Sequence, residues 1–551
     1  MKLTFNRAKL VTACAALLAA CTSGNELTVQ NLNNPDVARV NSTPAGVEGV
    51  IGGLYQQFNN GWNRNNVEPA AAMISFQGFS TVANFCMNLR DAIPPIPIIN
   101  DRGNQCDGGN LADFNNFQKL ARNSANLVQA LDVMTKAGSS TGSAAQDARD
   151  RGFAQFVNAI SLGMTALAYD SGAVVNNTVN SSLIPKLSGY QALMTAALAE
   201  LDSALATAGG TTAAAAFPLP ITWINGNAMS QADWVAFVHS WKARLRAGVA
   251  RTPAERAAVS WSSVIADATA GITADVSITM GGGWACDYDC SQMYSSLGWH
   301  EMTLMILGMA DTSGAYETFM AQPVGSRDGS QILIRTPDQR LPQGATRALQ
   351  NTDTPYNGTS FVADRYFDNR KAADDFTGPG YGTSMYDHKR WLGIYRNSGV
   401  GPMVQFPKAE VDMLAAEGYI STGNLAAAKA LIDVSRAKHG LASIGTIASA
   451  TSPIQGGVNG CVPQTPTGPG NAVQCGNILE AMKWEKRMET AYVSPYAWWV
   501  DGRGWGDLAQ GMPTMWPVPN EEMDSRQQPF YNMGGNLSAA VGSAAKGTYG
   551  F

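Results

Sequence analysis

Paired carboxylates on a helix are the first chemistry the chain suggests. Glu485 and Glu489 lie four residues apart in "WEKRMETAYVSPYAWWVDGRGWGDL" (484–508), near Asp501 and Asp507. Trp484, Trp498, Trp499, Trp505, Tyr492 and Tyr496 crowd the same stretch, in a chain that is only 15% charged. A glycosidase needs two carboxyl groups across a cleft, about 5–10 Å apart, so Glu485 or Asp501 could serve a hydrolase. An i,i+4 spacing instead points both glutamates the same way, beside Lys483, Lys486 and Arg487. Structural ion pairing with those three cations is the preferred reading.

Other catalytic patterns are missing. His300-Glu301 opens "HEMTL", but residue 304 is leucine, so the zinc-protease H-E-x-x-H is absent. His239, His388 and His439 lie in unrelated settings, and neither G-x-S-x-G nor G-x-x-x-x-G-K-[ST] occurs. "GGGW" (281–284) reads as a turn. No cofactor and no metal are expected, and the chain is read as a non-enzyme.

Aromatics in long loops are the more promising feature. Sugars present C–H faces and hydroxyls, which suit flat rings flanked by a few orienting polar groups. Trp284, Tyr288, Tyr294 and Trp299, with Asp287 and Asp289, form one such set; Phe85, Asn88 and Arg90 form another. These are the candidate ligand residues, with core covering as their alternative use.

The N-terminus "MKLTFNRAKLVTACAALLAACTSGNE" places Lys2, Arg7 and Lys9 ahead of an apolar run too short to span a bilayer. Leu18-Ala19-Ala20-Cys21 looks like a lipobox, so residues 1–20 are expected to be a signal peptide and Cys21 the lipid attachment site. Each buried acyl CH₂ contributes about 0.8 kcal/mol, so the three chains of a processed lipoprotein hold firmly to a membrane. Cleavage leaves 35 basic against 43 acidic residues, which argues against a nucleic-acid partner. Cys86, Cys106, Cys286, Cys290, Cys461 and Cys475 then form an even set in an exported chain, compatible with disulfides. Sequence neighbours suggest 86–106, 286–290 and 461–475, among 15 possible pairings. The aspartates of "CDYDC" (286–290) offer a metal alternative without a nearby histidine.

The elements that must position these groups are helical. Apolar residues recur at three- and four-residue steps in four stripes: Phe114 to Met134, Phe153 to Leu167, Tyr190 to Ala204, and Trp234 to Leu245. Such stripes are core faces. Residues 404–493 return to helix, with a turn at Gly423-Asn424 and small residues at the helix crossing, as in tetratricopeptide pairs. Segments 62–110 and 273–400 are loop-rich, and 56 glycines with 26 prolines fit long irregular connections. The expected division is a helical scaffold at 113–272 and 404–493 within one domain, 21–551.

Several segments, in order, resemble the SusD/RagB family. "LTVQNLNNPD" is similar to its lead-in after the lipidated cysteine, and "FAQFVNAISLGMTALAYDSGAVV" to a following helix. "LSGYQALMTAALAELDSALA" resembles the family helix through Tyr190, Met194, Glu200, Leu201 and Ala204. The segment from Phe406 to Leu441 resembles another through Ala409, Glu410, Ala416, Glu417, Gly423, Asn424, Ala428, Ile432, Arg436 and Leu441. The tryptophan-rich stretch matches at Glu485, Arg487, Trp499, Asp501, Arg503 and Trp505, with extra small residues, and "WPVPNEEMD" (516–524) resembles the family's C-terminal motif. The resemblance implies a mainly α SusD-like fold, with about four divergent tetratricopeptide-like helix pairs, long ligand-binding loops and little β structure. It also implies a cell-surface outer-membrane lipoprotein that captures an oligosaccharide, or a peptide in some members, for a SusC-type TonB-dependent transporter. A lipid-anchored hydrolase and a helical-repeat adaptor are the competing classes.

Overall fold

A computed structural model describes residues 43–63, 67–80, 86–104, 109–180, 182–285, 301–351, 365–370, 384–457, 460–466, 473–494, 496–535 and 541–542. It is mainly helical, with four short antiparallel strand pairs among the described residues, the first of them β1 (Ser171–Ala173) with β2 (Leu187–Gly189). α1 (Pro44–Gly52) begins at Thr43, whose side chain accepts from the Gly46 amide, with Pro44 in the first turn where its missing N–H costs nothing. α2 (Leu54–Asn63) and α3 (Val67–Ile74) follow it.

Two long helices build the centre, α4 (Gly109–Lys136) and α5 (Ala144–Ala168). From Gly152 to Ala168 α5 is buried on every side, so apolar and small residues extend around the helix beyond the Phe153-to-Leu167 stripe. Three of its polar side chains find backbone partners inside the core. Asn158 Nδ2 donates to Ala121 O and Val175 O, while the Ser161 and Thr165 hydroxyls donate back to Val157 O and Ser161 O. α6 (Tyr190–Ala208) packs so closely on α5 that a Cβ at Gly152 would stand 2.3 Å from Ala208 Cβ.

The array continues with each helix against the next: α7 (Gln231–Gly248), α8 (Trp261–Thr269), α9 (Lys408–Ser421), α10 (Leu425–Lys438), α11 (Ile478–Thr490) and α12 (Ala497–Trp505). Ser230 and Asp233 form a capping box at α7, so the start of that helix is written in its sequence. Between α9 and α10, Gly423 takes a φ of 83° and Asn424 caps α10 through the Ala427 amide. The four stripes expected from periodicity lie in α4, α5, α6 and α7 and face the core, with Met134 and Tyr190 at its margin.

The region expected to be loop-rich carries more than loops. β3 (Val276–Met280) pairs with β6 (Gly401–Phe406), and β4 (Phe367–Asn369) with β5 (Tyr386–His388). Short helices cover Leu304–Ala310 and Ala315–Met320. Among the described residues no helix is long and apolar enough to cross a membrane.

Candidate functional site

α2 carries a polar edge on an otherwise buried helix, and that edge holds Gly283 and Ala285, which precede residues 286–300 in the sequence. Tyr55 OH donates to Gln405 Oε1 at 2.8 Å; Gln405 Nε2 donates to Asn59 Oδ1, and Asn59 Nδ2 donates to Ala285 O at 3.3 Å. Asn60 closes a second clamp, donating to Gly283 O and accepting from the Ala285 amide, each at 2.9 Å. Trp284 packs its ring against Tyr55, with centroids 6.4 Å apart, and is 7% exposed. Burial pushes the Tyr55 hydroxyl above its ordinary range, with the Arg244 charge partly opposing.

Glu301, the next described residue after Ala285, lies in a narrow antiparallel ladder. Glu301 exchanges both backbone hydrogen bonds with Phe79, at 2.7 and 2.9 Å, and is bridged on its other side to Asp387. Asp387 in turn stands opposite Asp368 across β4 and β5. Phe79 and Ser80 precede residues 81–85, so the roots of both aromatic segments singled out in the sequence meet on one ladder. Ser80 N donates to Asp91 Oδ2 at 2.7 Å; burial nevertheless pushes Asp91 up to about 7.

The candidate ligand residues are thereby divided. Trp284 is part of the core. Arg90 is 4% exposed and its Nη1 donates to Ile96 O and Pro97 O, bracing the loop that follows. Asn88 is half-buried. Phe85, Asp287, Tyr288, Tyr294 and Trp299 lie outside the described residues, as do Cys21, Cys106, Cys286 and Cys290. Cys461 and Cys475 form a disulfide, and Cys86 is disulfide-bonded. Asn59, Asn60, Glu301 and Asp387 escaped the sequence reading. The asparagine pair in "QQFNNGWN" on a helix with a buried aromatic face was the available signal.

Glu485 and Glu489 are held in a buried ion-pair cluster. Glu485 and Glu489 face Arg340, at 3.0 and 3.2 Å, and Arg340 also grips Asp338 at 2.7 Å. Ser435 Oγ donates to Glu485, His439 Nε2 lies 2.5 Å from Glu489, and Trp484 Nε1 donates to Asp338. The expected partners of the two glutamates are corrected here. Lys483 and Arg487 pair with Asp507, and Lys486 with Asp501, because they leave the helix on other faces. Asp501 also meets Arg256 at 3.1 Å, while Arg503 donates to Thr514 O and Gly248 O rather than to a carboxylate. Burial pushes Glu485 up, partly offset by Arg340, whereas Asp338 is held low because Arg340 outweighs its burial. Glu485 is wholly buried and Asp501 only 5% exposed. Among the described residues no cluster of ligating side chains could hold a metal ion.

Neither a protein-family sequence model nor any curated protein matches the chain. Solved structures do. A SusD superfamily protein from Bacteroides vulgatus superposes with a TM-score of 0.53 at 12% identity, covering 88% of this chain and 97% of that one. A SusD superfamily protein from Bacteroides thetaiotaomicron gives 0.50 at 10% identity over 89% and 99%. A SusD/RagB family protein from the same species gives 0.50 at 12% identity over 88% and 94%. The chain has the SusD fold from end to end of those structures.

Proposed function

We propose that the protein is a non-catalytic lipoprotein of the outer-membrane surface that captures an oligosaccharide and passes it to a SusC-type TonB-dependent transporter. The fold likeness carries this reading, because it spans nearly the whole of both chains. Three features agree with it. A lipobox at Cys21 supplies the anchor, the Asp338, Glu485 and Glu489 carboxylates are consumed in buried ion pairs, and Phe79 and Glu301, which neighbour the two aromatic segments in the sequence, are joined on one ladder.

In this reading Asn59, Asn60 and the Phe79–Glu301–Asp387 ladder hold the loop roots still, so that binding does not have to order them. Rings and polar groups beyond those roots would take the sugar, with Phe85, Asn88, Asp287, Tyr288, Tyr294 and Trp299 as proposed contacts.

Purification of the tagged mature protein from its native membrane tests the assignment. A large TonB-dependent barrel should co-purify, and a glycan panel should bind without turnover. Absence of both barrel and glycan binding sinks the reading. Hydrolysis of a bound glycan would establish the enzyme instead, and peptide binding would replace the sugar.

A further inference from the structure

The ladder at the loop roots places three carboxylates side by side. Directly opposed residues on antiparallel strands project to the same face with Cβ atoms about 5 Å apart. Glu301 opposes Asp387, and Asp387 opposes Asp368. All three side chains are buried. Cations facing this row include Arg370, 2.8 Å from Asp387, Lys389 on Asp368, and Arg365 at 3.6 Å from Asp368. Asp91, on the Ser80 amide, lies at the Phe79 edge of the ladder. Asp387 Oδ1 has no hydrogen-bond partner among the described residues.

Like charges set opposite one another across buried strands repel, and a proton on the middle one relieves both neighbours. We propose that the Glu301–Asp387–Asp368 row is a proton-sensitive fastener, which tightens the ladder when Asp387 is protonated in mild acid and loosens it when Asp387 ionises. Burial, with Asp368 opposing Arg370 and Lys389, raises Asp387 to about 6 from the ordinary 3.8. A carboxyl group raised in the closed ladder and ordinary when the ladder opens stabilises closure at low pH. That stabilisation fades as pH rises from about 4 through 6. Any effect on ligand capture rests on the function proposed above; the fastener itself does not.

Hydrogen exchange on the full mature chain, corrected for intrinsic rates, tests it at the Met302 and Arg370 amides, which donate to Tyr386 O and Met385 O. Between pH 7 and pH 5 their protection should rise about tenfold, the linkage expected for that shift. Asp387→Asn should show the high protection at pH 7 and lose the pH dependence. Arg370→Gln should move the midpoint upward, because Arg370 favours the ionised form. An unchanged pH dependence in Asp387→Asn, or none in the native chain, overturns the proposal. Because exchange is read without ligand, a failure here leaves the capture function standing, and a failure to bind glycan leaves the fastener standing.

Discussion

Arg340 and Glu485 form an ion pair at 3.0 Å with both side chains fully shielded from water, although 145 residues separate them. Arg340 also neutralises Asp338 and Glu489, so one guanidinium answers three carboxylates contributed by two distant segments. This joins the 332–341 segment to α11 and makes a cluster that resembled an active site into a fastening.

Removing the cation from that cluster should be far worse than neutralising one anion. Arg340→Met leaves buried carboxylates uncompensated and should cost about 3–5 kcal/mol in urea unfolding. Glu485→Gln keeps Arg340 paired to Asp338 and Glu489 and should cost clearly less. Equal losses would show that the cluster is not organised around Arg340.

Glu489 should contribute to acid unfolding. Burial alone would raise it, but the His439 hydrogen bond and the Arg340 charge hold it far below the ordinary 4.5. A depressed carboxylate gives stability that is complete above its unfolded value and lost as pH falls through the folded one. Glu489→Gln should therefore lose less stability than the native chain between pH 4.5 and the acid transition. Parallel curves for the two proteins would contradict this.

Asp113 should show the opposite slope. It is completely buried, accepts the Tyr496 hydroxyl at 2.8 Å, and is pushed well above the carboxylate range by burial, against the Tyr496 and Val67 donors. A raised carboxyl group loses stability as pH rises above 3.8 towards its folded value. Asp113→Asn, neutral and of the same shape, should gain in Tm relative to the native protein as pH rises from 5 to 8. A difference that stays constant with pH would refute the idea.

The contact at Gly152 offers a packing test. A Cβ there would meet Ala208 Cβ at 2.3 Å and the Ala208 backbone nitrogen at 2.8 Å, neither of which can rotate away. Gly152→Ala should destabilise by about 1–3 kcal/mol, against the usual gain from alanine in a helix. A stabilised variant would mean that α5 and α6 separate readily.

The sequence by itself determined the helices and their buried faces. Each stripe from Phe114 to Leu245 depends on a period that one segment contains, and the caps at Ser230 and Asn424 act over three residues. It also carried the ordered motifs of the SusD fold and the pairing of Cys461 with Cys475. The partners of its charges were not there to read. Helical spacing put Lys483, Lys486 and Arg487 beside Glu485 and Glu489, yet Arg340, Ser435 and His439 answer the glutamates, and the nearby cations turn to Asp501 and Asp507. Composition cannot separate an exposed ring from a buried one, and only the tertiary structure sets Trp284 against Tyr55 and Arg90 on the Ile96 and Pro97 carbonyls. The ladder uniting Phe79, Glu301 and Asp387 joins segments far apart in the chain through backbone groups that every residue possesses. Such pairing leaves no trace in side-chain pattern, so only the tertiary structure shows that the two aromatic segments share a root.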